Sequence, residues 1–207
     1  MPPIETLLIF TPVALALNLT PGADMMFCLG QGMRAGPRSG FAAAMGIATG
    51  SFIHAVLAGL GLAALLAAHP PLFEAVRWAG VAYLLWLAIQ AFRNRDGLDV
   101  PRVTDRAAFT AWRDGTMVCL LNPKVGIFML AIVPQFVDPA GSNVFLQFMI
   151  FGGIMNIGGT IINVAVGVFA GRIGNVLRRR PSIASFFNKL SGMIFIGLAL
   201  KLGFDRR

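Results

Sequence analysis

Between Ser39 and Phe73 no residue carries a formal charge, and the same holds between Asp138 and Arg172. About 20 predominantly apolar residues cross the hydrocarbon core of a bilayer as a helix, and each run is longer than that. Lipid offers backbone N–H and C=O groups no partner, so a span must satisfy them internally, as a helix does. Of the 207 residues, 57% are hydrophobic and 13% charged, about half the charge of an ordinary globular domain. The expected class is an all-α polytopic membrane protein, with residues 1–207 forming one transmembrane domain.

Six apolar segments follow along the chain. Segment 1 runs from Glu5 to Leu29, and a glycine-rich basic loop from Gly30 to Arg38 follows it. Segment 2 starts at Ser39 and ends near His69-Pro70-Pro71, and segment 3 spans Leu72 to Phe92. Residues 93–114 hold Arg93, Arg95, Arg102, Arg106 and Arg113 against four aspartates. They are expected to form a linker, with Ala107–Trp112 as a short interfacial helix. Segment 4 runs from Gly115 to Val137, segment 5 fills the second charge-free run, and segment 6 spans Ser182 to Phe204. Ala42, Gly46 and Gly50 share one helix face, as do Gly159, Asn163, Gly167 and Gly171. Small-residue faces let helices approach closely, either within one chain or across a homodimer.

The net charge of +8 sits in short loops between apolar runs. Orientation in a membrane accounts for it better than a nucleic-acid partner does. With six spans, Arg34, Arg38, the linker arginines and the cluster Arg172, Arg178, Arg179 and Arg180 fall on one side. The positive-inside rule makes that side cytoplasmic and places both termini outside. No basic stretch precedes the first apolar run, which continues at spanning length, so no cleavable signal peptide is predicted. Cys28 and Cys119 form no C-x-x-C pair and read as buried free thiols.

The halves echo each other. Arg77-Trp78-Ala79-Gly80-Val81-Ala82-Tyr83-Leu84 aligns with Lys189-Leu190-Ser191-Gly192-Met193-Ile194-Phe195-Ile196, and Phe92 then falls opposite Phe204. Each half holds three spans, an odd number, so the second is inverted relative to the first. The predicted repeats are 5–92 and 115–204, joined by the cytoplasmic linker 93–114. Inverted repeats with broken helices in matching positions are an architecture of secondary transporters.

Two breaks match in this way: Asn18-Leu19-Thr20-Pro21-Gly22-Ala23-Asp24 in segment 1 and Leu121-Asn122-Pro123-Lys124 in segment 4. Proline removes a backbone donor and clashes with the preceding turn. Free carbonyls are left on one side, and free N–H groups, able to hold a carboxylate, where the helix restarts. Thr20 and Asn122 precede the prolines and are helix-capping types, so each restart is expected to be capped. Asp24 lies one turn into the first restart and Lys124 just inside the second. Together they offer a carboxylate for an ammonium and an ammonium for a carboxylate, which suits a zwitterionic amino acid. The candidate substrate site is Asn18, Thr20, Pro21, Gly22, Asp24, Asn122, Pro123 and Lys124. The plainer reading is that Asp24 and Lys124 neutralise each other and the prolines only kink the helices. Asp24 and His54 are the proton-coupling candidates, His54 because imidazole titrates near neutral pH. Asn156 and Asn163 are secondary pocket candidates, though such residues commonly make interhelical hydrogen bonds. If segment 4 begins earlier than Gly115, it carries Arg113 and Asp114 into the membrane as a pair.

These residues resemble the LysE/RhtB family of bacterial amino-acid exporters over nearly the whole chain. The likeness rests on Thr20-Pro21-Gly22, Arg34-Ala35-Gly36 with Gly40, and Ala79-Gly80-Val81-Ala82-Tyr83-Leu84. It continues in Leu121-Asn122-Pro123-Lys124 and Pro134-Gln135-Phe136-Val137-Asp138-Pro139. The resemblance implies a bacterial inner-membrane exporter of amino acids such as homoserine, threonine, lysine, arginine or leucine, driven by the proton gradient, with no cofactor. Ala23 departs from the Pro-Gly-Pro often found in the family, and the acidic Asp24 stands where relatives carry Asp or Asn.

An exporter of another small solute or cation is the alternative within transport. No Cys/His/carboxylate cluster with metal-ligand spacing supports a metal. A membrane-embedded enzyme would need a nucleophile with a base, and no Ser-His or Cys-His arrangement stands out. A non-transporting accessory subunit would have little reason to hold two oppositely charged breaks in matching positions.

Overall fold

The computed structural model describes residues 2–68, 108–138 and 143–170, together with single positions between 78 and 93 and between 172 and 200. Most of the aligned 77–84 and 189–196 stretches, residues 94–107 of the linker, Gly171 and the cluster Arg178 to Arg180 lie outside the described residues. Among these residues the helices are α1 (Ile4–Leu19), α2 (Ala23–Ala35), α3 (Pro37–Ala68), α4 (Ala108–Leu120), α5 (Pro123–Ala131) and α6 (Val144–Val168). A 3-10 turn, Val133–Phe136, follows α5.

Two helices are long and apolar enough to cross a membrane, α3 over Pro37–Gly61 and α6 over Val144–Val168. The pair α1 and α2 meets at a bend of 52°, and α4 and the stretch Lys124–Phe136 at 50°. Counting each bent pair as one span gives up to four.

Two boundaries differ from the sequence expectation. The loop expected over Gly30 to Arg38 is helical through Ala35. Gly32 serves packing, since a Cβ there would run into the Gly167 carbonyl oxygen of α6. Only Gly36, at φ 84°, stops the helix, a conformation that glycine alone adopts without strain. Pro37 then opens α3, where a missing N–H costs nothing. Helix α4 also takes in residues 108–114, which composition had assigned to the linker and, in part, to a separate interfacial helix. Ala111, Gly115 and Cys119 recur every four residues on its buried stripe. Arg113 and Asp114 turn outward as an ion pair at 3.2 Å.

Helix α3 is the spine. It runs parallel to α4: Ala43 meets Gly115, Gly46 meets Trp112, and Gly50 meets Cys119. It runs antiparallel to α6: Gly40 meets Gly167, Asn156 Nδ2 donates to the Ala48 carbonyl at 3.2 Å, and Ala55 meets Gly152. Small residues face inward here, with Ala43, Ala44, Ala55 and Ala58 buried, while Phe52, Leu57, Ile157 and Ile161 lie exposed. That distribution suits lipid, where packing depends on close backbone approach and large apolar groups face a solvent as apolar as themselves. A Cβ at Gly46 would strike the Trp112 carbonyl oxygen, which is backbone and cannot swing aside. Gly46→Ala is therefore expected to lower stability by about 1–3 kcal/mol, read as a lower melting temperature in detergent.

Four aromatic rings close one end of the assembly. Phe10 is fully buried and packs edge-on against Phe151 at 4.9 Å and Phe136 at 5.1 Å, with Phe128 beyond at 6.4 Å. These rings come from α1, α5, the 3-10 turn and α6, so they join both bent pairs above the breaks.

Candidate functional site

At the first break α1 stops at Leu19. The Thr20 N–H still reaches the carbonyls of Ala16 and Leu17, and its hydroxyl donates to the Ala16 carbonyl at 2.7 Å. Thr20 thus closes α1 and does not cap α2, contrary to the sequence expectation. Pro21 and Gly22 separate it from the restart, so its hydroxyl falls back on the preceding turn. Gly22 is the N-cap of α2, and no side chain caps that helix. Its first N–H groups are left for another partner, with Asp24 in the first turn.

At the second break one side chain does two jobs. Asn122 Oδ1 accepts the Lys124 N–H at 3.0 Å and caps α5, with Pro123 at its first position. Asn122 Nδ2 donates to Asp24 Oδ1 at 2.9 Å, tying the second break to the first. Lys124 reaches in the opposite direction. Its Nζ donates to the carbonyls of Leu17 and Thr20, each at 2.8 Å. A cation at the start of a helix is disfavoured by the helix dipole, but the end of α1 carries the complementary partial negative charge. The end of α1 is therefore closed by a residue of the second break, while the second break caps its own restart and holds Asp24.

Among the described residues no ion pair joins Asp24 to Lys124. Both face one cavity of about 30 Å³. Its polar wall is Asn18, Thr20, Asp24, Asn122, Lys124 and Asn163; its apolar wall is Leu17, Met25, Val125 and Met155. That volume holds a water or two and no amino acid. Lys124 keeps a third N–H beyond its two carbonyl bonds, and Asp24 Oδ2 is unengaged among the described residues. The cavity thus presents an unused donor on a cation and an unused acceptor on an anion.

This arrangement of two bent helix pairs lies in a chain whose residues 15–206 match the LysE type translocator family. The chain belongs to the LysE type translocator family. It is similar to an uncharacterized membrane protein of Vibrio cholerae, 31% identical over 96% of this chain and 97% of that protein. It is also similar to the homoserine/homoserine lactone efflux protein of Salmonella typhi, 30% identical over 87% of each chain. The leucine efflux protein of an Enterobacter species is 27% identical over 91% of this chain and 90% of its own. No solved structure matches significantly. The chain is a multi-pass membrane translocator and not an enzyme.

In this LysE type translocator, Asn18, Thr20, Gly22, Asp24, Asn122, Lys124 and Asn163 come together around the cavity. Asn18 is anchored there by donating to the Met155 carbonyl at 3.0 Å. Pro21 shapes the backbone without lining the space, and Pro123 sits at the start of α5. Asn156 stands apart as a contact between α6 and α3 and accepts from Thr160 at 3.4 Å. His54 is also outside the lining. Its Nε2 lies 3.1 Å from the Cys119 carbonyl, and a carbonyl only accepts, so Nε2 carries the hydrogen. His54 therefore closes the end of α4 beside the second break. His54→Ala is expected to lower stability by about 0.5–1.5 kcal/mol in a detergent melt, since the Cys119 carbonyl keeps the Asn122 N–H, whereas His54→Gln, with its own amide donor, retains more of it. Wild-type melting of His54→Ala would show that this bond carries nothing.

Cys28 and Cys119 are both buried free thiols. Among the described residues no group of three His, Cys, Asp or Glu side chains is placed to hold a metal ion. The residues that sequence reasoning missed are the apolar wall. Leu17, Met25 and Val125 adjoin the breaks and were within reach of the sequence argument. Met155 had no local signal, since it enters from α6.

Proposed function

We propose that this translocator exports amino acids or close derivatives from the cytoplasm by alternating access, coupled to proton antiport. The observation that carries the reading is the cavity itself. Asp24 and Lys124 face it without pairing, each with hydrogen-bonding capacity unused. A zwitterion supplies the missing partners, its carboxylate to Lys124 and the start of α2, its ammonium to Asp24. The efflux proteins named among its relatives act on homoserine, homoserine lactone and leucine, which is the same class of solute.

In this reading the chain forms six spans as two inverted three-helix repeats, 5–92 and 115–204, with spans 1 and 4 broken at Pro21 and Pro123. The parallel course of α3 and α4 and the antiparallel course of α3 and α6 support alternating spans. The basic loops face the cytoplasm of a bacterial inner membrane, and both termini lie outside. The four phenylalanines then seal the outer side. A cavity of about 30 Å³ corresponds to a closed state, which must open inward to load and outward to release. Asp24 serves proton and substrate ammonium in turn, so loading one displaces the other. His54 acts on this site through the end of α4.

Counterflow in proteoliposomes tests the proposal. Purified protein is expected to exchange at least one labelled amino acid from a broad panel, and a pH gradient is expected to drive its accumulation. Exchange of none of them would sink the reading.

A further inference from the structure

We infer that Asn163 reads the substrate's side chain, and that the transported amino acid is neutral with a hydrogen-bonding group on its side chain. This rests on the reading of the cavity as the amino-acid site.

Charge sets the first limit. Among the described residues the lining holds one carboxylate, Asp24, and one ammonium, Lys124. These match the two charges of a zwitterion and leave none over. A lysine or arginine side chain would bring a third charge into a space with no second anion, and an acidic side chain would find no second cation. Enclosing an unpaired charge away from water is strongly unfavourable.

Asn163 sets the second limit. It projects from α6 into the lining and is 7% exposed. Asn18, Asn122 and Asn156 each donate a hydrogen bond to the protein. The Asn163 amide has no hydrogen-bond partner among the described residues. Buried amides are ordinarily satisfied, and this one offers two donors and an acceptor to the cavity. An aliphatic side chain would leave all three unmet, while a hydroxyl donates to the amide oxygen and accepts from its nitrogen.

Counterflow of labelled homoserine, threonine, leucine and lysine tests this with wild type, Asn163→Leu and Asn163→Asp. Wild type is expected to prefer the two hydroxyl-bearing substrates over leucine by about tenfold or more, because a polar site rejects an analogue that leaves it unpaired, and to exchange no lysine. Asn163→Leu should move the homoserine-to-leucine ratio toward leucine by about tenfold. Asn163→Asp, nearly isosteric, should gain lysine exchange, which keeps the test decisive where the leucine variant does not fold. Wild-type exchange of lysine as fast as homoserine would overturn the inference. So would a preference for leucine over homoserine, a homoserine-to-leucine ratio unmoved by Asn163→Leu, or no lysine gain in a folded Asn163→Asp. Each of those results leaves amino-acid export standing. Wild type exchanging none of these or any other amino acid overturns export and the inference together.

Discussion

Lys124→Met is expected to abolish amino-acid exchange and to destabilise the protein. The ammonium closes the carbonyls of Leu17 and Thr20 and is the only cation in the cavity lining among the described residues. Its removal leaves the Thr20 carbonyl without a partner among the described residues, the Leu17 carbonyl with only the Thr20 N–H, and Asp24 without a neighbouring cation. Leaving a buried charge without a neighbouring countercharge and a buried carbonyl without a donor costs about 1–3 kcal/mol each, and a cavity that admits a little water puts the loss at the lower end of that range. A detergent melt reads this directly. The double variant Lys124→Met with Asp24→Asn should recover much of the stability, since no lone charge then remains, and should still fail to exchange substrate. Restored stability without restored exchange separates the structural role of Lys124 from its role in binding. Wild-type exchange by Lys124→Met would remove Lys124 from the substrate site.

Asp24→Asn has the second largest expected effect, and on a different readout. An asparagine oxygen at that position still accepts from Asn122, so the tie between the breaks survives, and Lys124 keeps its two carbonyl acceptors, so the melt falls less than in Lys124→Met. What is lost is the negative charge. Half-saturation for counterflow is expected to rise more than about tenfold, the size of one charge-assisted contact. Accumulation driven by a pH gradient is expected to vanish, because the group that alternates between proton and ammonium is gone. Residual exchange at high substrate concentration should be insensitive to the gradient. A variant that retains gradient-driven accumulation would move proton coupling elsewhere, with His54 the next group to test.

Particular residues show how far the amino-acid sequence reached. The charge-free stretches specify helices that cross lipid, because no other structure of that length satisfies its own backbone there. Pro21 and Pro123 mark where those helices cannot run straight, since a missing N–H is a property of the residue itself. The opposite charges just after them are equally local. Glycine is where local reasoning went astray. Gly32 read as loop because glycine suits both a turn and a tight helix crossing, and only the approach of Gly167 decides between them.

Thr20 and Asn122 precede the two prolines alike, yet one closes the helix behind it and the other caps the helix ahead. The extra residue Gly22 before α2 accounts for the difference. Asn156 and Asn163 are the same residue type, two turns apart on one helix, and nothing local separates a bond to α3 from an unpartnered amide in the cavity. The sequence by itself determined a membrane protein of apolar helices with two charged breaks. Tertiary structure alone decided that Lys124 closes α1 across 104 and 107 residues of chain, that Asn122 and not Lys124 holds Asp24, and that Met155 completes the wall. Those are contacts between helices, set by how small residues let them cross, and no single segment carries that information.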